Sequence, residues 1–229
     1  TYYYKIYTQD GAEAESSGTN AVTITPTGKW TTEPSLDSGP HIGSITTKKA
    51  TVTWSTSRTS DSKVQYGTTS GSYGDVEPSN SSQVTSHSIQ LTGLKPGTTY
   101  YYKAKWTDED GNTGTSDEQS FSTAAAPTVH DVSARSVGLT TSTIEYTAKG
   151  ASKVKIYYGK TTVFGAVKEV STSTTETTYT TELTGLDDGT KYYYKINTYD
   201  SENDEYEGTV LDFTTLPRPK ISKVRIQQV

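Results

Sequence analysis

Apolar residues along this chain come in short runs that alternate with polar ones: Val52 and Trp54, Val64 and Tyr66, Ile89 and Leu91, then Tyr100, Tyr102, Ala104 and Trp106. A period of two is the mark of a β-strand with one buried face. The runs are separated by Gly, Pro, Asn and Asp, which are turn formers, and no long segment carries an apolar stripe at helical spacing. The segment SITTKKATVTWST predicts two strands, with Ile42 and Ile45 near the first and Val52 and Trp54 inward on the second. SKVQYG then makes a further strand, the stretch from Ser70 to Gly74 turns, and HSIQLTGL returns with Ile89 and Leu91 inward. Two sheets of this kind pack face to face, so the pattern predicts an all-β sandwich.

The pattern also repeats. TYYYKIYTQD opens the chain, TYYYKAKWTD occupies 99–108 and KYYYKINTYD occupies 191–200. Trp54 and Tyr146, Tyr66 and Tyr158, Leu91 and Leu183, Phe121 and Phe213, and Pro127 and Pro219 are each separated by 92 positions. A period of this length suits a whole small domain rather than a solenoid turn. Alternation places Tyr100, Tyr102, Ala104 and Trp106 inward, with Tyr192, Tyr194, Ile196 and Thr198 as their equivalents, and Tyr2, Tyr4, Ile6 and Thr8 in the first copy. Tyr3, Tyr101 and Tyr193 point outward and cover the sheet face beside their cross-strand neighbours.

The stretch Leu94-Lys95-Pro96-Gly97-Thr98-Thr99-Tyr100 resembles the tyrosine corner of fibronectin type III domains, and Leu186-Asp187-Asp188-Gly189-Thr190-Lys191-Tyr192 is similar, with Asp188 in place of Pro96. Trp54 with Tyr146, Tyr66 with Tyr158, and the closing FST and FTT extend the resemblance over nearly the whole chain. Prokaryotic cell-surface arrays look similar in Ser62–Thr68, His87–Tyr102, Asp108–Thr113 and Phe121–Thr123, as does the N-terminal domain of purple acid phosphatases, although that enzyme's metal ligands are not found in this sequence. The resemblance implies tandem Ig-like or fibronectin type III β-sandwiches, beads on a string, with Tyr100, Tyr192, Trp54, Tyr146, Leu94 and Leu186 as structural residues and the corner tyrosine bonded back to the preceding backbone.

The expected domains are 1–34, a partial fibronectin III-like domain with F and G strands only, then complete domains at 35–126 and 127–217, and the A strand of a further domain at 218–229. Trp30-Thr31-Thr32-Glu33-Pro34 aligns with Phe213-Thr214-Thr215-Leu216-Pro217 and is read as the end of the first G strand. Ile221 and Val224 repeat Val129 and Val132. An A strand joined in trans to the first F–G hairpin still lacks B, C and E, so an excerpt of a longer chain is the expectation, in keeping with the absence of Met. The linkers Ser122–Pro127 and Thr214–Pro219 are short and Pro-bearing, and Pro34–Pro40 reads as a longer one.

Roughly a third of the chain is Ser and Thr, and its net charge is −5 with a pI near 5.3. Phosphate binding needs clustered Lys and Arg, so nucleic acid is not an expected partner. No apolar run is long enough for a membrane helix. Zero Cys removes disulfides and thiolate metal sites. The histidines at 41, 87 and 130 lie in separate contexts without the convergent partners of a metal site or triad, so no catalytic residues are expected. The F–G loops are acidic, with Asp10, Glu13 and Glu15, then Asp108, Glu109, Asp110 and Asn112, then Asp200, Glu202, Asp204 and Glu205. Oxygen donors of this kind suit Ca²⁺, with Asp108, Asp110 and Asn112 as candidates, but they are equally ordinary hairpin residues, and no cofactor is otherwise expected. Asn80-Ser81-Ser82 is a glycosylation sequon and the Thr run at 172–181 offers hydroxyls, so glycan is a possible partner.

These features predict a non-catalytic structural repeat region of an extracellular or cell-surface stalk, fibre or filament, whose partners are copies of itself or neighbouring domains of one longer chain. A spacer or binding module of a secreted hydrolase, or an adhesin, is the alternative.

Overall fold

The computed structural model describes residues 2–12, 15–24, 29–74, 78–220 and 222–223, and the chain falls into two compact units. The first comprises Thr1–Gly43, Thr51–Leu91 and Tyr100–Phe121; the second comprises Ser44–Ala50, Thr92–Thr99 and Ser122–Val229.

In the second unit, β9 (Thr128–Arg135), β10 (Ser142–Lys149) and β13 (Thr177–Leu183) form a three-stranded antiparallel sheet in the order β13-β10-β9. The facing sheet runs β12 (Ala166–Ser171), β11 (Lys153–Gly159), β14 (Lys191–Tyr199), β15 (Glu205–Tyr206), and β16 (Leu211–Thr214) also pairs with β14. Ile144, Tyr146 and Leu183 from one sheet meet Val154, Ile156, Tyr192, Tyr194, Ile196 and Phe213 from the other, all buried. This is the alternation read as burial: β14 shows its predicted inward set, Tyr192, Tyr194, Ile196 and Thr198, with each buried.

The first unit holds β1 (Tyr2–Tyr4), β2 (Val22–Ile24), β3 (Leu36–Gly43) and the bulk of β4 (Ala50–Gly67), β5 (Ser79–Leu91), β6 (Thr99–Thr107), β7 (Thr113–Thr115) and β8 (Gln119–Ser122). Tyr100, Tyr102, Ala104 and Trp106 are buried on β6, as expected. The two strands predicted for 50–56 and 62–67 are instead one, β4, whose first half pairs with β3 and whose second half pairs with β6. A strand that bends from one sheet to the other replaces the loop. The second unit breaks between β10 and β11 because Gly150 takes φ +72, a left-handed conformation; the equivalent position in β4 is Arg58, which favours the extended path.

Ile45, read as near the first strand, lies just beyond β3, which ends at Gly43, and is exposed, since Ser44 at φ +47 turns the chain away. Two other expectations are corrected. Pro34–Pro40 is not a long linker, because β3 starts at Leu36 and absorbs the extra residues as register shifts around a cis Gly39–Pro40 bond. Trp30 is not in a strand: the first hairpin pairs Tyr2 with Ile24 and Tyr4 with Val22, and the Trp30 ring is half-exposed.

In that hairpin Tyr4, Ile6 and Thr8 are exposed rather than inward, because no second sheet covers them within the described residues. The side chain of Tyr2, together with Glu13, Ile221 and Val224, lies outside the described residues, and no strand is assigned in the described part of 218–229.

Candidate functional site in two aspartate-anchored turns

The turn from β6 to β7 and the turn from β14 to β15 are built alike around Asp108 and Asp200, both buried. The backbone carbonyl of Asp108 accepts the N–H of Gly111 at 3.0 Å, and that of Asp200 accepts the N–H of Asn203 at 3.1 Å. Gly111 and Asn203 take φ +87 and +68, a conformation that Gly and Asn tolerate best. One carboxylate oxygen then organises the loop: Asp108 Oδ1 accepts from the backbone of Asp110 and Asn112, and Asp200 Oδ1 from Glu202 and Asp204.

The second oxygen differs. Asp108 Oδ2 accepts the Arg58 guanidinium at 2.7 Å and the Asn112 amide at 3.0 Å. Arg58 lies 4.7 Å over the Trp30 ring, while the Trp30 backbone N–H donates to Asp110 Oδ2 at 2.7 Å and the Asn112 side-chain amide donates to the Trp30 backbone carbonyl. A Trp that has no core to enter is thus held flat against a cation. Asp200 Oδ2 instead accepts from Thr47 Oγ1 at 2.5 Å and from Tyr206 at 3.4 Å. Within the second unit, Lys48 pairs with Asp204 at 3.1 Å and Lys49 with Glu202 at 2.9 Å, so the stretch 46–49 is clasped along the whole turn.

Burial alone raises the Asp108 carboxyl, but hydrogen bonds from Asn112 and Arg58 overcome it and hold the group at about 2. Asp200 is lowered against the same opposition from burial, by Thr47 and the turn's own N–H groups. Both therefore serve as fixed negative charges. For the Ca²⁺ candidates this geometry matters: Arg58 occupies the open side of Asp108, Asp110 is engaged by Trp30, and Asn112 presents its amide nitrogen to Asp108. Among the described residues no group of three or more His, Cys, Asp or Glu is placed to hold a metal.

The predicted structural residues Tyr100, Tyr192, Trp54, Tyr146, Leu94 and Leu186 are all buried. The Tyr192 hydroxyl accepts the backbone N–H of Asp187 at 3.0 Å, which is the corner the resemblance implied. Tyr100 stacks on Phe121 with centroids 5.7 Å apart. Thr123 and Thr215 brace the two corners identically, each accepting a backbone N–H, from Thr98 and Thr190, and donating to a carbonyl, of Lys95 and Asp187.

Two groups escaped sequence reasoning. His87 is buried, stacked on Trp54 at 4.8 Å, with its ring nitrogens 2.8 Å from Thr56 Oγ1 and Ser62 Oγ. The signal was available, since His87 sits two residues before Ile89 on the inward face of β5. Although it brings a Ser beside a His, both are sealed in the core, and burial lowers the His87 pKa. Glu118 accepts from Ser70, from the backbone of Gly71 at 2.8 Å and from Tyr73, bonds that bring its carboxyl down to about 2. Burial and the bond to Glu118 push Tyr73 up to about 12. No local pattern announces that partnership across the sheet.

Residues 39–123 match the family described as Purple acid Phosphatase, N-terminal domain. Among solved structures, the chain is similar to the FN1–FN3 domains of chicken CNTN1, at 15% identity and TM-score 0.35, covering 93% of this chain and 77% of that one. It is also similar to a two-domain fibronectin type III segment of chicken tenascin, at 17% identity and TM-score 0.37, covering 80% and 98%. No curated protein sequence matches. Among the described residues the elements are all β-strands in antiparallel sheets, and the second unit is a two-sheet sandwich. No helix among the described residues is long and apolar enough to cross a membrane.

Proposed function

We propose that this chain is a structural, non-catalytic repeat region of an extracellular surface stalk, fibre or filament. The observation that carries the reading is that what recurs between the two halves of the sequence is architecture. The aspartate-anchored turn, the threonine-braced corner and the inward aromatic ladder return at one spacing, whereas polar groups with chemical potential, such as His87 and Ser62, do not. The Ser-rich and Thr-rich, Cys-free surface suits an exposed location, and the partners on this reading are further copies or neighbouring domains. Negative-stain microscopy of the full-length protein tests it: extended fibres or assemblies are expected, and dispersed compact particles would count against it.

The match of residues 39–123 to a domain named for a phosphatase favours a second reading, in which such sandwiches are spacer or binding modules of a secreted hydrolase. The complete reading frame separates the two, since a catalytic domain in it would select the second.

A further inference from the structure

We infer that Asn80 is an N-glycosylation site, carrying a saccharide on the outer end of β5. The inference rests on the reading that the chain is displayed outside a cell, because the transferases that read this motif act there or on the way there.

Asn80-Ser81-Ser82 supplies the required Asn and, two residues on, a hydroxyl. The structure adds accessibility and a suitable local conformation. Residues 79–82 are all exposed, at the start of a strand whose buried positions begin only at His87. The Asn80 side-chain carbonyl accepts the backbone N–H of Ser82 at 2.9 Å, which folds the amide back over its own tripeptide and leaves Nδ2 as the projecting atom. Among the described residues Nδ2 of Asn80 donates no hydrogen bond, in contrast to the Asn112 and Asn197 amides, which are committed to Asp108 and Glu205. Nothing in the core need move to admit a modifying enzyme.

The co-reactant would be a saccharide joined through phosphate to a polyisoprenoid lipid. Nδ2 attacks the anomeric carbon and forms the N–C bond. The bond from that carbon to the phosphate oxygen breaks, its electron pair leaves on the lipid phosphate, and the amide proton passes to a base of the transferase. A saccharide there would also blunt the exposed, Ser-rich end of β5 against pairing with other strands.

The test is mass spectrometry of the peptide Val64–Lys103, in which Asn80 is the one asparagine, from protein recovered at the surface of the producing cell. A hexose or N-acetylhexosamine series on Asn80 is expected. Ser82→Ala should abolish it with the fold intact, while Ser82→Thr should retain it. Unmodified peptide from surface-exposed protein, or sugar confined to serine hydroxyls, overturns this proposal alone. Recovery of the protein only inside the cell overturns the location on which it rests.

Discussion

The two units solve one packing problem with different chemistry. Where the first stacks Trp54 on His87 at 4.8 Å and 10°, the second stacks Tyr146 on Tyr179 at 5.8 Å and 22°, at equivalent positions. Around the first pair lie Thr56 and Ser62; around the second, Ala148 and Val154. Each arrangement is consistent within itself, since a buried imidazole needs hydrogen-bond partners and a tyrosine pair can carry its hydroxyl to Thr181 at 3.4 Å. The loop before β5 shows the same contrast. Glu118 fastens it in the first unit, whereas the equivalent residue in the second is Val210, which is exposed. A sandwich thus constrains the shape of its core pairs more tightly than their polarity, and polarity decides how each unit responds to pH.

Truncating equivalent core leucines gives the largest effect on this comparison. Leu91→Ala and Leu183→Ala, both fully buried, should each cost about 2–5 kcal/mol. All three tryptophans lie in the first unit, so Leu91→Ala should shift the fluorescence-detected denaturant midpoint and Leu183→Ala should shift only the circular dichroism. Equal fluorescence shifts from both would show that the units do not unfold independently.

Acid should separate the units next. His87 has a folded pKa below its ordinary value of 6.5, so its stabilising contribution is full above 6.5 and is lost as pH falls through that value towards the folded pKa. The first unit should melt earlier at pH 5 than at pH 8, and His87→Tyr, which imports the second unit's residue, should flatten that dependence. His130 in the second unit is raised by Asp131 and Glu176, so its smaller contribution has the opposite sign, present below 6.5 and lost as pH rises through its folded pKa. A first-unit melt that is flat between pH 5 and 8 would contradict the buried neutral imidazole.

Glu118 acts at lower pH. Its folded pKa of about 2 against 4.5 means that it stabilises above 4.5 and loses this effect as pH falls towards 2. Glu118→Gln should remove that limb of the first unit's acid profile and loosen residues 70–73, measured as faster amide exchange at Gly71. Smaller still, Tyr192→Phe should cost about 0.5–1.5 kcal/mol by leaving the Asp187 N–H without its partner. Millimolar Ca²⁺ against chelator should leave both melting midpoints unchanged, and a rise would show that a cation displaces Arg58 from Asp108.

Much of this architecture was legible in the residues. Period-two runs located the inward residues of β6 and β14, because side chains on a strand alternate whatever the strand pairs with, but they did not show that Asn197 and Tyr199, on the other face of β14, are buried as well. The corner at Tyr192 was legible because its parts lie within one short turn. Trp30 was misread because an apolar residue is drawn inward only when a second sheet exists to receive it, and among the described residues none covers the first hairpin.

The sequence by itself determined that this is an all-β chain, that its unit recurs every 92 residues, and which residues of β6 and β14 form the inward aromatic ladder. Only the tertiary structure decided what each buried charge meets. Asp108 and Asp200 are equivalent in the repeat, yet one finds Arg58, 50 residues away, and the other Thr47, 153 residues away. Alternation and turn chemistry are local and can be read along the chain. The partner of a buried carboxylate is set by which distant segment the closed fold delivers to it, and the repeat carries no information about that.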